Sequence, residues 1–300
     1  MRIIFIVNSQ IKNLKKTLKE IRCEFSGFQI SFAQTQYKKH AIEIATQAVQ
    51  NEYNYIIAVG GDGTLNEVLN GMMYASVPVN TLPVLGMLQK GSANDFSRTA
   101  GNSNSVMDLK NRITKRSDKK IDIGKIKLNS GTETTKYFIN ICGLGLGPEA
   151  VLIKEKSPKI LGSELSYFKS IIQGFMSYKK KGVVCTGDNW EWKGNLLQMA
   201  IGNGRYFGNS ICICPDATID DGLFHISLFG ELTIIDYLKN FKKLKKGVKL
   251  DHDDAHYYIS KEVTVENSGN QLCGIEADGE IMGNAPVTIT VVPKAIHFLV

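Results

Sequence analysis

The stretch Gly60-Gly61-Asp62-Gly63-Thr64-Leu65-Asn66-Glu67 constrains this chain more than any other feature. It follows the apolar run Tyr55, Ile56, Ile57, Ala58, Val59 and precedes Leu65, Val68, Leu69 and Met72 at helical spacing, so it reads as strand, glycine turn, helix. Such a turn leaves backbone N–H groups unpaired at a helix N-terminus, where partial positive charge gathers and a phosphate can sit. Gly60, Gly61 and Gly63 are expected to let the backbone approach a ligand and to adopt angles closed to other residues. Thr64 can cap the helix or bond a phosphate oxygen. Asp62 is the odd member: a carboxylate repels a phosphate unless a cation or a protonated donor lies between them. The combination points to nucleotide–metal chemistry. It is not a Walker A loop, because no Gly-Lys-Ser/Thr follows the turn, and at Gly86–Ser92 the lysine, Lys90, precedes the glycine. The Gly143, Gly145, Gly147 run is no dinucleotide fingerprint either, since Pro148 stands where a third glycine would fall.

The first 120 residues alternate between two periodicities. Ile3–Asn8, Gln29–Ala33, Tyr55–Val59 and Leu82–Met87 read as strands; Asn13–Cys23, His40–Asn51, Thr64–Met73 and Asn94–Ala100 read as helices. That order implies a mainly parallel, helix-covered sheet, with ligands bound beyond the strands' C-terminal ends, where Gly60–Thr64 falls. A charged stretch, Lys110 to Lys120, separates this region from a second one. From Ile121 onward short alternating runs dominate: Ile121–Leu128, Tyr137–Cys142, Val183–Thr186, Leu196–Gly202, Leu223–Leu228, Val263–Glu266 and Val287–Val292. Helical inserts at Leu161–Lys180 and Thr233–Lys246 interrupt them. The reading is an antiparallel β-rich second domain spanning residues 121–300, whose tail, Ala295–Val300, could return to the first domain, residues 1–120.

Composition narrows the class. Hydrophobic residues at 43% of 300 positions suffice for one large or two medium cored domains, and 22% charged residues with seven prolines argue against extensive disorder. Met1–Val7 is too short for a signal-peptide core, and no window reaches the roughly 18 apolar residues of a membrane span, so the expected location is cytoplasmic. The six cysteines include no CxxC pair and read as buried thiols, with Cys212 and Cys214 on one face of a strand-like run. Net charge is +7, concentrated at Lys239, Lys242, Lys243, Lys245, Lys246 and Lys249 on an amphipathic helix. Its bland reading is a surface helix; its functional one is attraction to anionic lipid. Nucleic acid is not an expected partner, because the basic stretches lack interleaved aromatics.

Three further motifs join the glycine turn: Lys90-Gly91-Ser92-Ala93-Asn94-Asp95-Phe96-Ser97-Arg98, Asp220-Asp221-Gly222-Leu223-Phe224 and Asp278-Gly279-Glu280, with lesser echoes at Asp122-Ile123-Gly124 and Asn203-Gly204. Together these resemble, in order, the motifs of the diacylglycerol kinase catalytic family, of the soluble bacterial lipid-kinase type. The resemblance spans almost the whole chain. It implies an α/β N-terminal domain with a parallel sheet like that of phosphofructokinases and NAD kinases, plus a β-rich antiparallel sandwich. The expected activity is transfer of the ATP γ-phosphate to a lipid hydroxyl, converting diacylglycerol to phosphatidic acid. Alternatives are another lipid alcohol (a sphingoid base, ceramide or phosphatidylglycerol) or a catalytically silent binding regulator.

The resemblance also implies roles. Gly60, Gly61, Asp62, Gly63, Thr64 and Asn66 would hold the ATP phosphates, with Ser92 on the facing loop and Thr35 as another nucleotide contact. Asp278 would be the general base, removing the alcohol's proton. Asp62, Asp95 and Asp122 would organise Mg2+ and water, and a structural Mg2+ would use Asp221 and the carbonyl of Leu223. The expected partner is a lipid at a membrane surface, met by transient peripheral association; a homodimer is compatible with this. The chain departs from the family at Ser92, where threonine is usual, and at Asn8-Ser9-Gln10, where Asn-Pro and a glycine turn are usual.

Overall fold

The computed structural model describes residues 1–129, 135–156 and 163–300. They form two compact units, Met1–Asp122 with Lys294–Val300, and Ile123–Pro293.

In the first unit β1 (Arg2–Val7), α1 (Leu14–Glu24), β2 (Gln29–Gln34), α2 (His40–Gln50), β3 (Tyr55–Gly60), α3 (Asp62–Tyr74), β4 (Val84–Gln89), α4 (Asp95–Ala100) and α5 (Val106–Lys115) follow one another. The strands are parallel in the order β2-β1-β3-β4. β1 and β3 are almost unbroken apolar runs because a parallel sheet is covered on both faces. Ile3, Phe5, Val7, Ile57 and Val59 pack with Leu18 and Ile21 of α1 and with Leu109 and Ile113 of α5. Ile4, Ile6, Ile56 and Ala58, on the opposite face, are equally buried. α3 lies hard against α2 at Gly71, where any Cβ would overlap the carbonyl of Ile42. Four strand ends thus deliver their loops, residues 8–13, 35–39, 61 and 90–94, to one edge of the sheet.

The chain leaves this unit within β5 (Asp118–Leu128). β6 (Thr135–Phe138), β7 (Ile141–Gly145), α6 (Leu146–Lys156), α7 (Ser163–Ser177), β8 (Lys181–Gly187), β9 (Trp190–Leu196), β10 (Gln198–Gly202), β11 (Tyr206–Phe207), β12 (Ile211–Cys212) and β13 (Phe224–Phe229) come next. α8 (Ile234–Lys245), β14 (Ala255–Ser260), β15 (Glu262–Asn267), β16 (Gly274–Ala277), β17 (Glu280–Asn284) and β18 (Val287–Leu299) complete the chain. One antiparallel sheet runs β14-β13-β10-β7-β16-β17; facing strands run β18-β15-β8-β9. Between them lie Leu144, Met199, Ile201 and Ile226 from one side and Val183, Val263, Val265 and Ile289 from the other. The outer face of the first sheet carries Leu197, Ala200 and Phe229, covered by Leu146, Ile171, Tyr237 and Leu244 of the three helices. β18 finishes in the first unit, pairing Phe298 with Leu85. Among the described residues no helix is long and apolar enough to cross a membrane.

Several elements differ from the sequence reading. The charged stretch from Lys110 hides α5, which starts on a Ser105 cap accepting from Asp108 N and buries only Val106, Leu109 and Ile113. Tyr137–Cys142 and Leu196–Gly202 are each two strands, because the chain turns at 139–140 and changes neighbours at Leu197. The Gly143–Gly147 run ends β7 and opens α6, where Pro148 sits in the first turn and needs no donor. Of the insert read as Leu161–Lys180, Leu161 and Gly162 lie outside the described residues and the helix is Ser163–Ser177. Cys212 ends a two-residue strand, so Cys214 lies beyond it; both are buried.

Candidate active site

The glycine turn is built by close packing. Gly61 and its neighbours all keep φ outside the left-handed region, contrary to the expectation of unusual angles. What excludes a side chain at Gly60 is Thr64, which any Cβ there would overlap. At Gly91 a Cβ would overlap the Cα of Gly61, so the two motif loops touch backbone to backbone. Lys90 N and Gly91 N both donate to Gly60 O, at 2.7 and 3.0 Å. The Thr64 hydroxyl caps nothing; it accepts from Asn8 Nδ2 at 3.2 Å. Leu65 N is the first amide of α3 bonded within the helix, to Gly61 O, so the amides of Asp62, Gly63 and Thr64 precede the first helical bond.

The acids of the turn serve neighbouring helices. Asp62 Oδ2 accepts from Asp95 N at 3.1 Å and Oδ1 from Phe96 N at 3.2 Å, so this carboxylate caps α4 from another element. Asn94, at the N-cap position of α4, sits at φ 53 with its Nδ2 on Gly91 O and makes no cap bond. Glu67 likewise accepts from Lys39 N and Ala41 N at the start of α2.

A polar cavity of about 470 Å3 opens where these loops meet. Gly61, Gly63, Thr64 and Gly91 form one part of its wall, Asn8–Gln10 and Thr35–Lys38 another. Thr35 Oγ1 accepts from Ser9 N, tying two of the loops together. Ser92 is exposed on the loop beside Gly91. Asn66 does not line the cavity: it is buried on α3, where its Oδ1 and its carbonyl both accept from Asn70 Nδ2. Asp95 is buried at the start of α4 beside Asp62, with the Arg98 guanidinium 3.9 Å away. Asp122 is fully buried and accepts from Lys294 N at 2.7 Å, stitching β5 to β18.

In the second unit Asp278 occupies the turn between β16 and β17 at φ 49. Its carboxylate accepts from three successive amides, Ile139 N at 2.9 Å and Asn140 N and Ile141 N at 3.1 Å. These three bonds fix the carboxylate in place against the 139–141 backbone. Glu280, at the other end of the same turn, is half-buried, and nothing among the described residues bonds its carboxylate. Sequence reasoning missed Glu276, which lies in β16 with its side chain buried and accepts from Gly279 N at 3.0 Å. Burial, reinforced by the charge of Asp278, pushes its pKa up to about 8, so it is mostly neutral at pH 7. Asn140 and Asn203 hold the strand break opposite: Asn140 Nδ2 donates to Tyr206 O and Asn203 Nδ2 to Ile139 O. The Asn203-Gly204 pair was visible in sequence; its partner was not.

The Asp221 carboxylate accepts from Leu223 N at 3.0 Å and meets His225 Nε2 at 2.9 Å. Burial works to raise its pKa, but bonds from His225, Thr218 and Leu223 together hold it below the usual carboxylate value. Both oxygens of the expected magnesium ligand are therefore engaged by protein donors. Among the described residues no group of three or more His, Cys, Asp or Glu could hold a metal, so a cation at this turn would take its remaining ligands from backbone carbonyls and water.

An apolar cavity of about 60 Å3 lies under the helical layer of the second unit, walled by Ala150, Phe175, Ile213, Phe229, Leu244 and Tyr237. The Tyr237 hydroxyl is buried there without a hydrogen-bond partner.

Residues 2–126 match the diacylglycerol kinase catalytic domain, and residues 149–300 match the YegS C-terminal NAD kinase beta sandwich-like domain. A diacylglycerol kinase of Bacillus subtilis is 25% identical, covering 99% of this chain and 94% of its own length. A protein of Klebsiella pneumoniae named "Probable lipid kinase YegS-like" is 32% identical over 75% of this chain and 73% of its own. The crystal structure of a diacylglycerol kinase from Bacillus anthracis superposes with a TM-score of 0.74 at 20% identity over 99% of this chain and 96% of the other, which shows the shared fold. The chain belongs to the diacylglycerol kinase catalytic-domain family and is, with it, an enzyme of the lipid-kinase type.

Proposed function

We propose that this protein transfers the γ-phosphate of ATP, delivered as its magnesium complex, to the hydroxyl of a membrane lipid, diacylglycerol being the acceptor and phosphatidic acid the product. The observation that carries this reading is the 470 Å3 polar cavity, part of whose wall is the glycine turn at the N-terminus of α3. Its size suits a nucleotide within the usual range of roughly 300–1,000 Å3 for ligand pockets. The amides of Asp62, Gly63 and Thr64 offer an anion the positive end of α3. The hydroxyls of Thr64, Thr35 and Ser92 supply further donors. Phosphoryl transfer is mostly alignment and charge neutralisation, so a few oxygen ligands beside the phosphates suffice for Mg2+. Glu67 lines the cavity, and Asp62, next to the glycines of its wall, is joined to Asp95 by the Asp95 N–Asp62 bond. Asn94 Oδ1, a buried oxygen with no hydrogen-bond partner, adds a neutral oxygen ligand beside Gly91.

For the acceptor, the motif Asp278-Gly279-Glu280 offers two carboxylates. Three amides hold Asp278, so we assign it to fixing the turn and assign removal of the alcohol's proton to Glu280. The apolar cavity of the second unit supports an acyl-bearing substrate. A lipid in a bilayer also requires peripheral membrane contact by a protein of this kind.

The test is transfer of labelled γ-phosphate from ATP–Mg2+ to a panel of lipids in mixed micelles. Diacylglycerol should be labelled, and Glu280→Gln should lower kcat by about 10²–10⁴, the usual contribution of a general base, with an unchanged melting point. Asp278→Asn should lower both activity and melting point. Full activity in Glu280→Gln with none in a stably folded Asp278→Asn would return the base to Asp278. No labelled lipid from an ATP-binding protein would remove the kinase assignment for these acceptors.

A further inference from the structure

Helix α8 presents two faces of opposite character. Inward, Tyr237 and Leu244 are buried and wall the apolar cavity, and Phe241 packs on Phe168 with ring centroids 5.1 Å apart. Outward, Ile235 is 58% and Leu238 47% exposed, followed one turn on by exposed Lys239, Lys242, Lys243 and Lys246. Val248, just past the helix, is 49% exposed. At the end of α7, Met176 is 81% exposed beside Phe175, which packs on the Tyr237 ring. Residues 233–249 hold six lysines and one acid. That acid, Asp236, is consumed in the capping box with Thr233. Lys249 pairs with Asp216, whereas Lys239, Lys242, Lys243 and Lys246 form no salt bridge among the described residues. In the acidic run Asp251–Asp254, the Asp254 carbonyl accepts from Gly230 N just before the helix starts.

Lysines in the last turn complement a helix dipole, which explains part of this charge. It does not explain two large aliphatic side chains left in water in front of it. Apolar groups flanked by unpaired lysines on one helix surface are the pattern that lies in the headgroup layer of an anionic bilayer.

We propose that the outer face of α8, from Ile235 to Lys246, is the docking surface of this protein for an anionic lipid bilayer. Ile235 and Leu238 enter the acyl boundary while the four lysines meet lipid phosphates. The inner face of the same helix walls the apolar cavity, so docking sets bilayer lipid against the element that encloses it. This deepens the lipid-kinase reading by naming the surface on which the enzyme meets its substrate.

The test is co-sedimentation of the full chain with phosphatidylglycerol-containing vesicles and with pure phosphatidylcholine vesicles, without ATP or diacylglycerol. Binding to the first only, reversed by salt, is expected. Each lysine should contribute roughly fivefold to partitioning, so Lys239→Gln, Lys242→Gln, Lys243→Gln and Lys246→Gln together should cost at least about a hundredfold. Ile235→Ser with Leu238→Ser should weaken the part of the binding that salt does not reverse. Both variants should keep wild-type activity in neutral detergent micelles and an unchanged melting point. Equal sedimentation of the lysine variant, or equal binding to phosphatidylcholine, would overturn the proposal. So would lysine-dependent retention on nucleic acid without vesicle binding. Because vesicle binding is read without catalysis, a protein that docks but phosphorylates no lipid would refute only the kinase reading.

Discussion

Replacing Glu276 by glutamine should stabilise this protein, and increasingly so as pH rises. The carboxyl is buried in β16, and burial with the nearby charge of Asp278 raises its pKa from 4.5 to about 8. Between those values the native state keeps a proton that the unfolded chain has released. Stability is therefore lost as pH climbs from the unfolded to the folded pKa and levels off above it. At 1.36 kcal/mol per unit of separation, the penalty on the wild type is about 1 kcal/mol at pH 5, about 3 at pH 7 and about 5 at pH 9. Glutamine carries no ionisation penalty and keeps an oxygen for Gly279 N, the bond that the carboxylate accepts at 3.0 Å. The measurement is the melting temperature of both proteins across this range. From pH 5 to pH 9 the variant should gain roughly 10 °C on the wild type, taking about 2–4 °C per kcal/mol for a unit of this size. A difference that stays flat with pH would show that Glu276 is ionised in the native state, through rearrangement or access of water, and the burial argument would fail. Carboxyl carbon NMR gives a second reading, a resonance titrating near pH 8 that vanishes in the variant.

Other perturbations separate architecture from ligand binding. Asp62→Ala removes the acceptor for two α4 amides and should cost about 1–2 kcal/mol in denaturant titration, with Asp62→Asn recovering part of it. Gly91→Ala places a methyl onto the Gly61 backbone and should weaken ATP binding sharply by forcing the loops apart; wild-type affinity by calorimetry would contradict the packing. Gly63→Ala meets nothing within 4 Å and should keep or slightly raise the melting point while weakening ATP binding, since the methyl enters the cavity wall. Among the cysteines, Cys23 is exposed and the other five are buried, so a thiol reagent should label one site rapidly in the native protein and six after unfolding.

The parts of this fold legible in sequence are those whose signal is local. β1 and β3 are short apolar runs ended by Asn8 and Gly60, and the periodicity of α2 and α3 is carried by adjacent turns. α5 escaped because three buried residues among charged ones give little periodicity, although Ser105 with Asp108 three residues on is a start signal. β9 alternates Trp190, Trp192, Gly194, Leu196 with polar residues and could have been read as a strand. The positions of the glycine and aspartate motifs were legible, but not what each acid touches. Asp62 meets amides 33 and 34 residues away, and Asp278 meets amides 137 to 139 residues away; no window of sequence contains such a pair.

That distance matters for assigning chemistry. Asp62 caps α4, Glu67 caps α2, Asp122 holds Lys294 N, Asp278 holds the 139–141 backbone and Asp221 holds Leu223 N. Acids within or beside the sequence motifs are thus also the fasteners of the loops around them. A carboxylate bonded to backbone amides is fixed in place, and its removal leaves those amides without an acceptor. Loss of activity on removing one of these acids therefore has two sources, and inactivity alone cannot choose between them. The choice lies in the pairing of readouts: a fastener lowers the melting point and kcat together, whereas a group that acts only in the transition state lowers kcat and leaves the fold alone. By that criterion Glu280, half-buried and unbonded beside a turn that Asp278 and Glu276 hold in shape, is the residue whose removal should touch chemistry without touching stability.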